Sequence, residues 1–175
     1  MSMRSGRGIR FWVEDYRQPG DRGLTPKKLS SNGEEYTRLI KAVMDAAQDE
    51  SFDTVGFIWM QGESDANNRL SEVYEDSFRM LVARLEKDLG RDDVYYVIGR
   101  INDYAANRPD NEHWKLVREA QVRLGSTPGN GWVNTDDLNR EDDGQPQDYI
   151  HFPREGAGKL GQRFAESAIE LIDKR

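Results

Sequence analysis

Short β-type runs alternate with longer segments of helical periodicity along this 175-residue chain. The β-type runs fall at residues 8–14, 54–60, 94–98 and 132–133. The helical patterns that follow them fall near residues 36–47, 70–89, 114–125 and 156–173. Because helical crossovers join consecutive parallel strands, this order predicts a parallel sheet with helices on both faces. The expected fold is α/β, a three-layer α/β/α sandwich formed as a single domain over residues 1–175.

The chain is acidic and contains no cysteine. Lys and Arg total 25 against 32 Asp and Glu, a formal net charge of −7. Nucleic acids and anionic membranes select basic surfaces, so neither is an expected partner. The lack of cysteine excludes disulfides, thiolate metal sites and a cysteine nucleophile. Residues 1–8 do not lead into the apolar segment of a signal peptide, and the longest apolar run, residues 55–60, is too short to cross a bilayer. A cytoplasmic location is the default expectation.

Polar residues follow the second β-type run directly. Gln61, Gly62, Glu63 and Asp65 lie where the strand is expected to end, and binding crevices of parallel sheets lie at the carboxyl ends of the strands. A glutamine there can aim its amide donors at a developing oxyanion. The alternative interpretation is a solvated strand-to-helix loop in which Gly62 serves the turn.

A second candidate segment precedes the last helix, where Asp148 stands three residues before His151. On a tight turn, such an aspartate can accept a hydrogen bond from Nδ1 and leave Nε2 as a general base. The alternative is a surface histidine with a chance acidic neighbour, since 32 of the 175 residues are acidic.

Together the two segments resemble the SGNH hydrolase superfamily, and more narrowly its carbohydrate esterases of the acetylxylan esterase and sialate O-acetylesterase type. The matching stretches are residues 56–66 (GFIWMQGESDA), residues 148–152 (DYIHF), Gly156 and residues 160–165 (LGQRFA). The resemblance covers roughly residues 34–175 in order and spacing. It implies an SGNH or flavodoxin-like sandwich and a serine carboxylic-ester hydrolase that removes acetyl groups from a carbohydrate without a metal or an organic cofactor.

The resemblance also assigns roles to individual residues. Asp148 and His151 take the positions of the catalytic Asp and His, and Gln61 with Gly62 takes the position of the oxyanion loop. Glu63 and Asp65 match the family pattern as loop-bracing or substrate-rim residues.

The nucleophile is unassigned. Family members carry their serine in a Gly-Asp-Ser or Gly-Gln-Ser-Asn turn after the first strand, and this sequence contains neither turn. Ser5 and Ser31 are weak candidates because no apolar strand precedes either of them. We therefore expect the chain to begin at the family's second strand and to lack the first. A homo-oligomer that completes the sheet would compensate for that loss.

Two other functions remain open at this stage. One is a non-catalytic remnant or carbohydrate-binding module of the same fold. The other is a glycoside hydrolase that uses Glu63 with Asp65, although residues i and i+2 of one loop seldom face each other across a bond.

Two weaker signals concern charged residues elsewhere in the chain. Carboxylates at residues 136–137 and 141–143 could bind a hard cation, but a solvated acidic loop is the simpler interpretation and no metal site is predicted. His113 opens the third helical pattern as a surface residue without an assigned role.

Overall fold

A computed structural model describes residues 34–47, 50–106, 108–109, 111–139 and 150–174. The elements in chain order are α1 (Glu34–Ala46), β1 (Gly56–Trp59), α2 (Glu63–Asn67), α3 (Ser71–Leu89), β2 (Tyr95–Gly99), α4 (Glu112–Gly125), β3 (Gly131–Val133) and α5 (Arg154–Asp173). The three strands form one parallel sheet in the order β1-β2-β3. The predicted α/β class is confirmed, whereas the first β-type run, residues 8–14, lies outside the part of the chain that the structure describes.

The main difference from the sequence prediction is α2. The residues after β1 were expected to form a loop, but Glu63–Asn67 form a short helix. Five residues make little more than one turn, so they carry no apolar repeat from which a helix can be predicted.

Helices pack on both faces of the sheet. On one face α3 and α4 cover β2, and the rings of Phe78 and Tyr96 meet edge to face with centroids 5.0 Å apart. On the other face Phe164 of α5 packs with Val97 and Val133. This arrangement gives the three layers that the alternating pattern predicts.

The register brings the ends of the three strands together at one edge. Trp59 pairs with Ile98, and Gly99 pairs with Val133. The residues that follow β1, β2 and β3 therefore emerge side by side, and this carboxyl edge is where a binding crevice is expected. None of the described helices has the length and apolar character needed to cross a membrane.

Candidate active site

The side chain of Gln61 is held by the carboxylate of Asp65. Its Nε2 donates a hydrogen bond of 2.5 Å to Oδ2 of Asp65, which lies four residues on in α2. Asp65 is fully buried. Asp65 therefore contacts the side chain of Gln61 from a buried position, and its role in the site stays a prediction.

The backbone of Gln61 is fixed from the opposite side by two buried side chains. Its carbonyl oxygen accepts hydrogen bonds from the Tyr74 hydroxyl (2.8 Å) and from Nε2 of Gln121 (2.9 Å). The other end of the same amide, Oε1 of Gln121, accepts a hydrogen bond of 2.9 Å from the backbone N–H of Ile101, just after β2. Gln121 therefore joins the chain after β1 to the chain after β2.

The Tyr74 hydroxyl stays protonated, and can therefore donate a hydrogen bond, because it is buried. Burial first, and then the negative charge of Asp65, raises the pKa of the Tyr74 hydroxyl far above its ordinary value. The hydroxyl stays protonated and also accepts a hydrogen bond of 3.1 Å from Nε1 of Trp59. The polar groups of Trp59, Tyr74 and Gln121 are thus paired in the core, where an unpaired group would be costly.

Gly62 is required by both conformation and space. Its φ of 152° lies in a region that side chains rarely adopt. A Cβ at this position would lie 2.9 Å from Nε2 of Gln121 and 2.9 Å from Cγ1 of Val117. Only glycine allows the loop to lie this close to α4.

Glu63 lies within electrostatic reach of His151. Burial raises the pKa of the Glu63 carboxyl, while hydrogen bonds from the backbone of Glu63 and Gly62 and the charge of His151 act in the opposite direction. The loop after β1 and the segment before α5 are therefore close enough for their charges to interact.

The segment that carries His151 is anchored by a buried asparagine. Nδ2 of Asn102 donates a hydrogen bond of 2.7 Å to the carbonyl of Ile150, and its Oδ1 accepts one of 3.0 Å from the N–H of Tyr104. Its own carbonyl accepts a hydrogen bond of 2.7 Å from Nε1 of Trp114. These contacts hold the exposed His151 beside the end of β2.

Three of the predicted residues fall outside the part of the chain that the structure describes. They are Asp148 and the two weak nucleophile candidates, Ser5 and Ser31. The hydrogen bond between Asp148 and Nδ1 of His151 stays a prediction.

A protein-family model described as "Carbohydrate esterase, sialic acid-specific acetylesterase" matches residues 6–170. The chain belongs to this carbohydrate esterase family. The match starts ahead of residue 34, where the motif resemblance begins, and takes in Ser31. Comparisons with curated proteins and with solved structures give no match.

The acidic residues that follow β3 pair with arginines. Asp136 contacts Arg100 at 2.5 Å and Arg118 at 2.9 Å, and Asp137 contacts Arg163 at 2.6 Å. Among the residues that the structure describes, no group of three or more His, Asp or Glu side chains could hold a metal ion. Residues 141–143 lie outside that part of the chain.

Several side chains near the carboxyl edge of the sheet were not singled out from the sequence. Asn102 gave no signal, because a polar residue after a strand resembles any other loop residue. Gln121 did give one, since it is a glutamine on the otherwise apolar stripe of α4. His113 was expected to be a surface residue without a role; it is half-buried, and its Nδ1 lies 2.7 Å from Oγ of Ser71.

Proposed function

We propose that this carbohydrate esterase removes O-acetyl groups from a sugar by Ser-His-Asp chemistry. His151 acts as the general base, Asp148 orients its ring, and Gln61 helps to bind the oxyanion. The observation that carries the proposal is the anchoring of two segments at one edge: Gln121 holds Gln61, and Asn102 holds the residue before His151. Membership of the esterase family supports the reaction class.

The proposed reaction has two stages, formation of an acetyl-enzyme and its hydrolysis. A serine hydroxyl attacks the acetyl carbonyl while His151 accepts its proton, and the carbonyl oxygen becomes an oxyanion. The oxyanion collapses, the sugar hydroxyl leaves with the proton from His151, and an acetyl-enzyme remains. Water then attacks that ester with His151 again as base, and acetate leaves as the serine oxygen takes the proton back from His151.

The pairing of Gln61 with Asp65 suits an oxyanion donor. A primary amide has two N–H donors, and the bond to Asp65 engages one of them. A donor held in place before the reaction starts stabilises the transition state without reorganisation. Asp65 therefore acts as a positioning residue in the proposed mechanism.

Acetate release from an O-acetylated sialic acid and from acetylated xylo-oligosaccharides tests the proposal. His151→Ala should lower kcat by about 10³-fold or more, because the base and the nucleophile act as a unit. Gln61→Ala should lower kcat by about 10²–10³-fold, as expected for an oxyanion donor. The matched control is Gln162→Ala, since Gln162 is an exposed glutamine of α5 whose side chain bonds to Glu166 one turn further along the helix.

The nucleophile is identified by covalent labelling. A fluorophosphonate should modify one serine, which peptide mass spectrometry locates. Ser5→Ala and Ser31→Ala are then compared with the wild type. The variant that loses both the label and acetate release names the nucleophile.

The second candidate function is a non-catalytic carbohydrate-binding module. It is favoured by one observation, the lack of the family's Gly-Asp-Ser or Gly-Gln-Ser-Asn turn in the sequence. Sugar binding with neither label nor acetate release would support it. A glycoside hydrolase that pairs Glu63 with Asp65 is disfavoured, because Asp65 is buried and bonded to Gln61.

A further inference from the structure

Three polar side chains of α4 bind the backbone that follows β2. They are Trp114, Arg118 and Gln121, which share one face of the helix because they stand at positions i, i+4 and i+7. Nε1 of Trp114 donates a hydrogen bond of 2.7 Å to the carbonyl of Asn102. Arg118 and Gln121 hold the two ends of Ile101, its carbonyl at 2.5 Å and its N–H at 2.9 Å. This face of α4 therefore fixes two consecutive residues at the carboxyl edge of the sheet.

Arg118 is the charged member of the three, and only 12% of its side chain is exposed. Arginines are rarely buried unless their guanidinium group is paired. Nη1 of Arg118 donates to the carbonyl of Ile101, and Nη2 lies 2.9 Å from Oδ1 of Asp136, which follows β3. Asp136 also pairs with Arg100 at 2.5 Å, so this carboxylate does not depend on Arg118 for a cation. The contact that Arg118 alone supplies is the one to the backbone after β2.

The carbonyl that Arg118 binds belongs to the peptide between Ile101 and Asn102. A peptide is planar, so a donor that fixes the direction of its carbonyl also fixes the bond from the next nitrogen to its Cα. The side chain of Asn102 starts from that Cα, is buried, and binds the carbonyl of Ile150, directly before His151. A rotation of the peptide would therefore displace the anchor of His151.

We propose that Arg118 is a positioning residue for His151, which it reaches through the Ile101–Asn102 peptide and the bond from Asn102 to Ile150. The position uses the forked guanidinium group, because one planar side chain meets a carbonyl and a carboxylate at once. The role of His151 as the base rests on the proposed function, whereas a displacement of its ring is measurable without turnover.

Acetate release from an O-acetylated sialic acid by the full chain is the first measurement. Arg118→Met should lower kcat by about 10²-fold and leave KM unchanged, because small displacements of a catalytic group cost that much. Arg118→Lys retains the charge opposite Asp136 and should fold, yet it lacks the fork and should lower kcat by about tenfold or more. Wild-type kcat in a folded Arg118→Lys variant would overturn the proposal.

Arg91→Met is the matched control. Arg91 pairs with Asp93 at 2.7 Å and donates to the carbonyls of Phe52 and Asp53, which is the same combination of contacts at the opposite edge of the sheet. It should lose stability in urea unfolding and keep kcat. If Arg91→Met and Arg118→Met lose stability and kcat in the same proportion, Arg118 serves the fold alone and the proposal is wrong.

The double variant of Arg118→Met and Asn102→Ala tests the route. If Arg118 acts through Asn102, removing both should lower kcat no further than Asn102→Ala alone. Fully additive losses would mean that Arg118 does not act through Asn102 and would overturn the proposal.

NMR of His151 separates this inference from the esterase proposal. The chain has two histidines, so its spectrum holds two imidazole Hε1 signals, and His151→Ala assigns them. Arg118→Met should shift the signal of His151, and Arg91→Met should not. That result without any acetate release would support the positioning role while the esterase proposal fails. Acetate release with an unshifted His151 signal in Arg118→Met would leave the esterase proposal standing and overturn the positioning role.

Discussion

The side chain of Asn102 and the backbone of Ile150 are joined by a hydrogen bond of 2.7 Å, although 48 residues separate them in sequence. Asn102 follows β2, and Ile150 directly precedes His151. Through this one bond the end of a central strand sets the position of the proposed general base.

Replacement of Asn102 tests this coupling. Asn102→Ala should lower kcat by about 10²-fold, because small displacements of a catalytic group cost that much. It should also lower the free energy of unfolding by about 1–3 kcal/mol, since buried partners lose their hydrogen bonds. Steady-state kinetics and urea unfolding measure the two effects.

Asn130→Ala is the matched control for Asn102→Ala. Oδ1 of Asn130 accepts a hydrogen bond of 2.9 Å from the N–H of Tyr96, at the start of β2 and away from the carboxyl edge. It should lose stability but keep kcat. An equal loss of kcat in both variants would show that Asn102 acts on stability alone.

Gly62→Ala should impair both stability and activity. Its positive φ costs a side chain about 1–3 kcal/mol, and the added methyl group would press on Gln121 and Val117. Gly129→Ala separates the two causes, because Gly129 has a φ of 80° and a methyl group there would have no neighbouring atom within 4 Å. Urea unfolding should show a larger loss for Gly62→Ala, and only that variant should lose acetate release. Equal losses of stability would contradict the close approach to α4.

Glu63→Gln should stabilise the protein at neutral pH. Burial raises the folded-state pKa of Glu63 above its unfolded value near 4.5. The contribution of Glu63 to the free energy of unfolding is therefore complete below pH 4.5 and is lost as the pH rises through the folded-state pKa. Above that range the charged carboxylate is disfavoured, and glutamine removes the charge. Unfolding measured from pH 4 to pH 8 should show a gain that grows with pH.

Glu155→Gln is the control, because the pKa of Glu155 is shifted in the opposite direction to that of Glu63. Lys159 holds the pKa of Glu155 below its usual range, so loss of that carboxylate should give no gain at pH 7. A gain at pH 7 in both variants would indicate a general charge effect and contradict the burial of Glu63.

Arg69→Gly should raise the free energy of unfolding by about 1 kcal/mol, because Arg69 has a φ of 61° and glycine adopts this left-handed conformation without steric cost. Asn68→Gly is the control one residue earlier. Asn68 has a φ of −105°, and its side chain bonds to the carbonyl of Ser64, so glycine there should not stabilise. A drop in the stability of Arg69→Gly would show that the arginine serves the fold.

We expect the chain to form a homodimer or a larger assembly. Within the described residues β1 and β3 each pair with β2 alone, and Ile58 of β1 is 52% exposed. Such edges tend to pair with other strands. Light scattering should give a mass above 20.1 kDa. Ile58→Lys should shift the mass towards the monomer, and a stable monomeric wild type at micromolar concentration would contradict the expectation.

Apart from α2, the helices and strands of the described residues follow from apolar periodicity, which is local in sequence. The stripe from Trp114 to Leu124 predicts α4, and the β-type run at residues 94–98 predicts β2 within one residue at each end. The hydrogen bonds that hold the site residues in place cannot be predicted from apolar periodicity. Asp65 and Asn102 are buried, whereas a prediction from their polarity alone would place them at the surface. The carbonyl of Ile150 that Asn102 binds lies 48 residues away, so no local pattern encodes this contact. Asp65 bonds to Gln61 only four residues away, but its burial follows from packing that no local pattern encodes.

Helix α4 couples its own position to that of the loop after β1. Gln121 on this helix binds the carbonyl of Gln61 and the N–H of Ile101, and a Cβ at Gly62 would lie 2.9 Å from Val117 of the same helix. A shift of α4 relative to the sheet would therefore displace the loop that carries the proposed oxyanion donor. Substitutions that loosen the packing of α4 should lower kcat even where they lie far from the carboxyl edge.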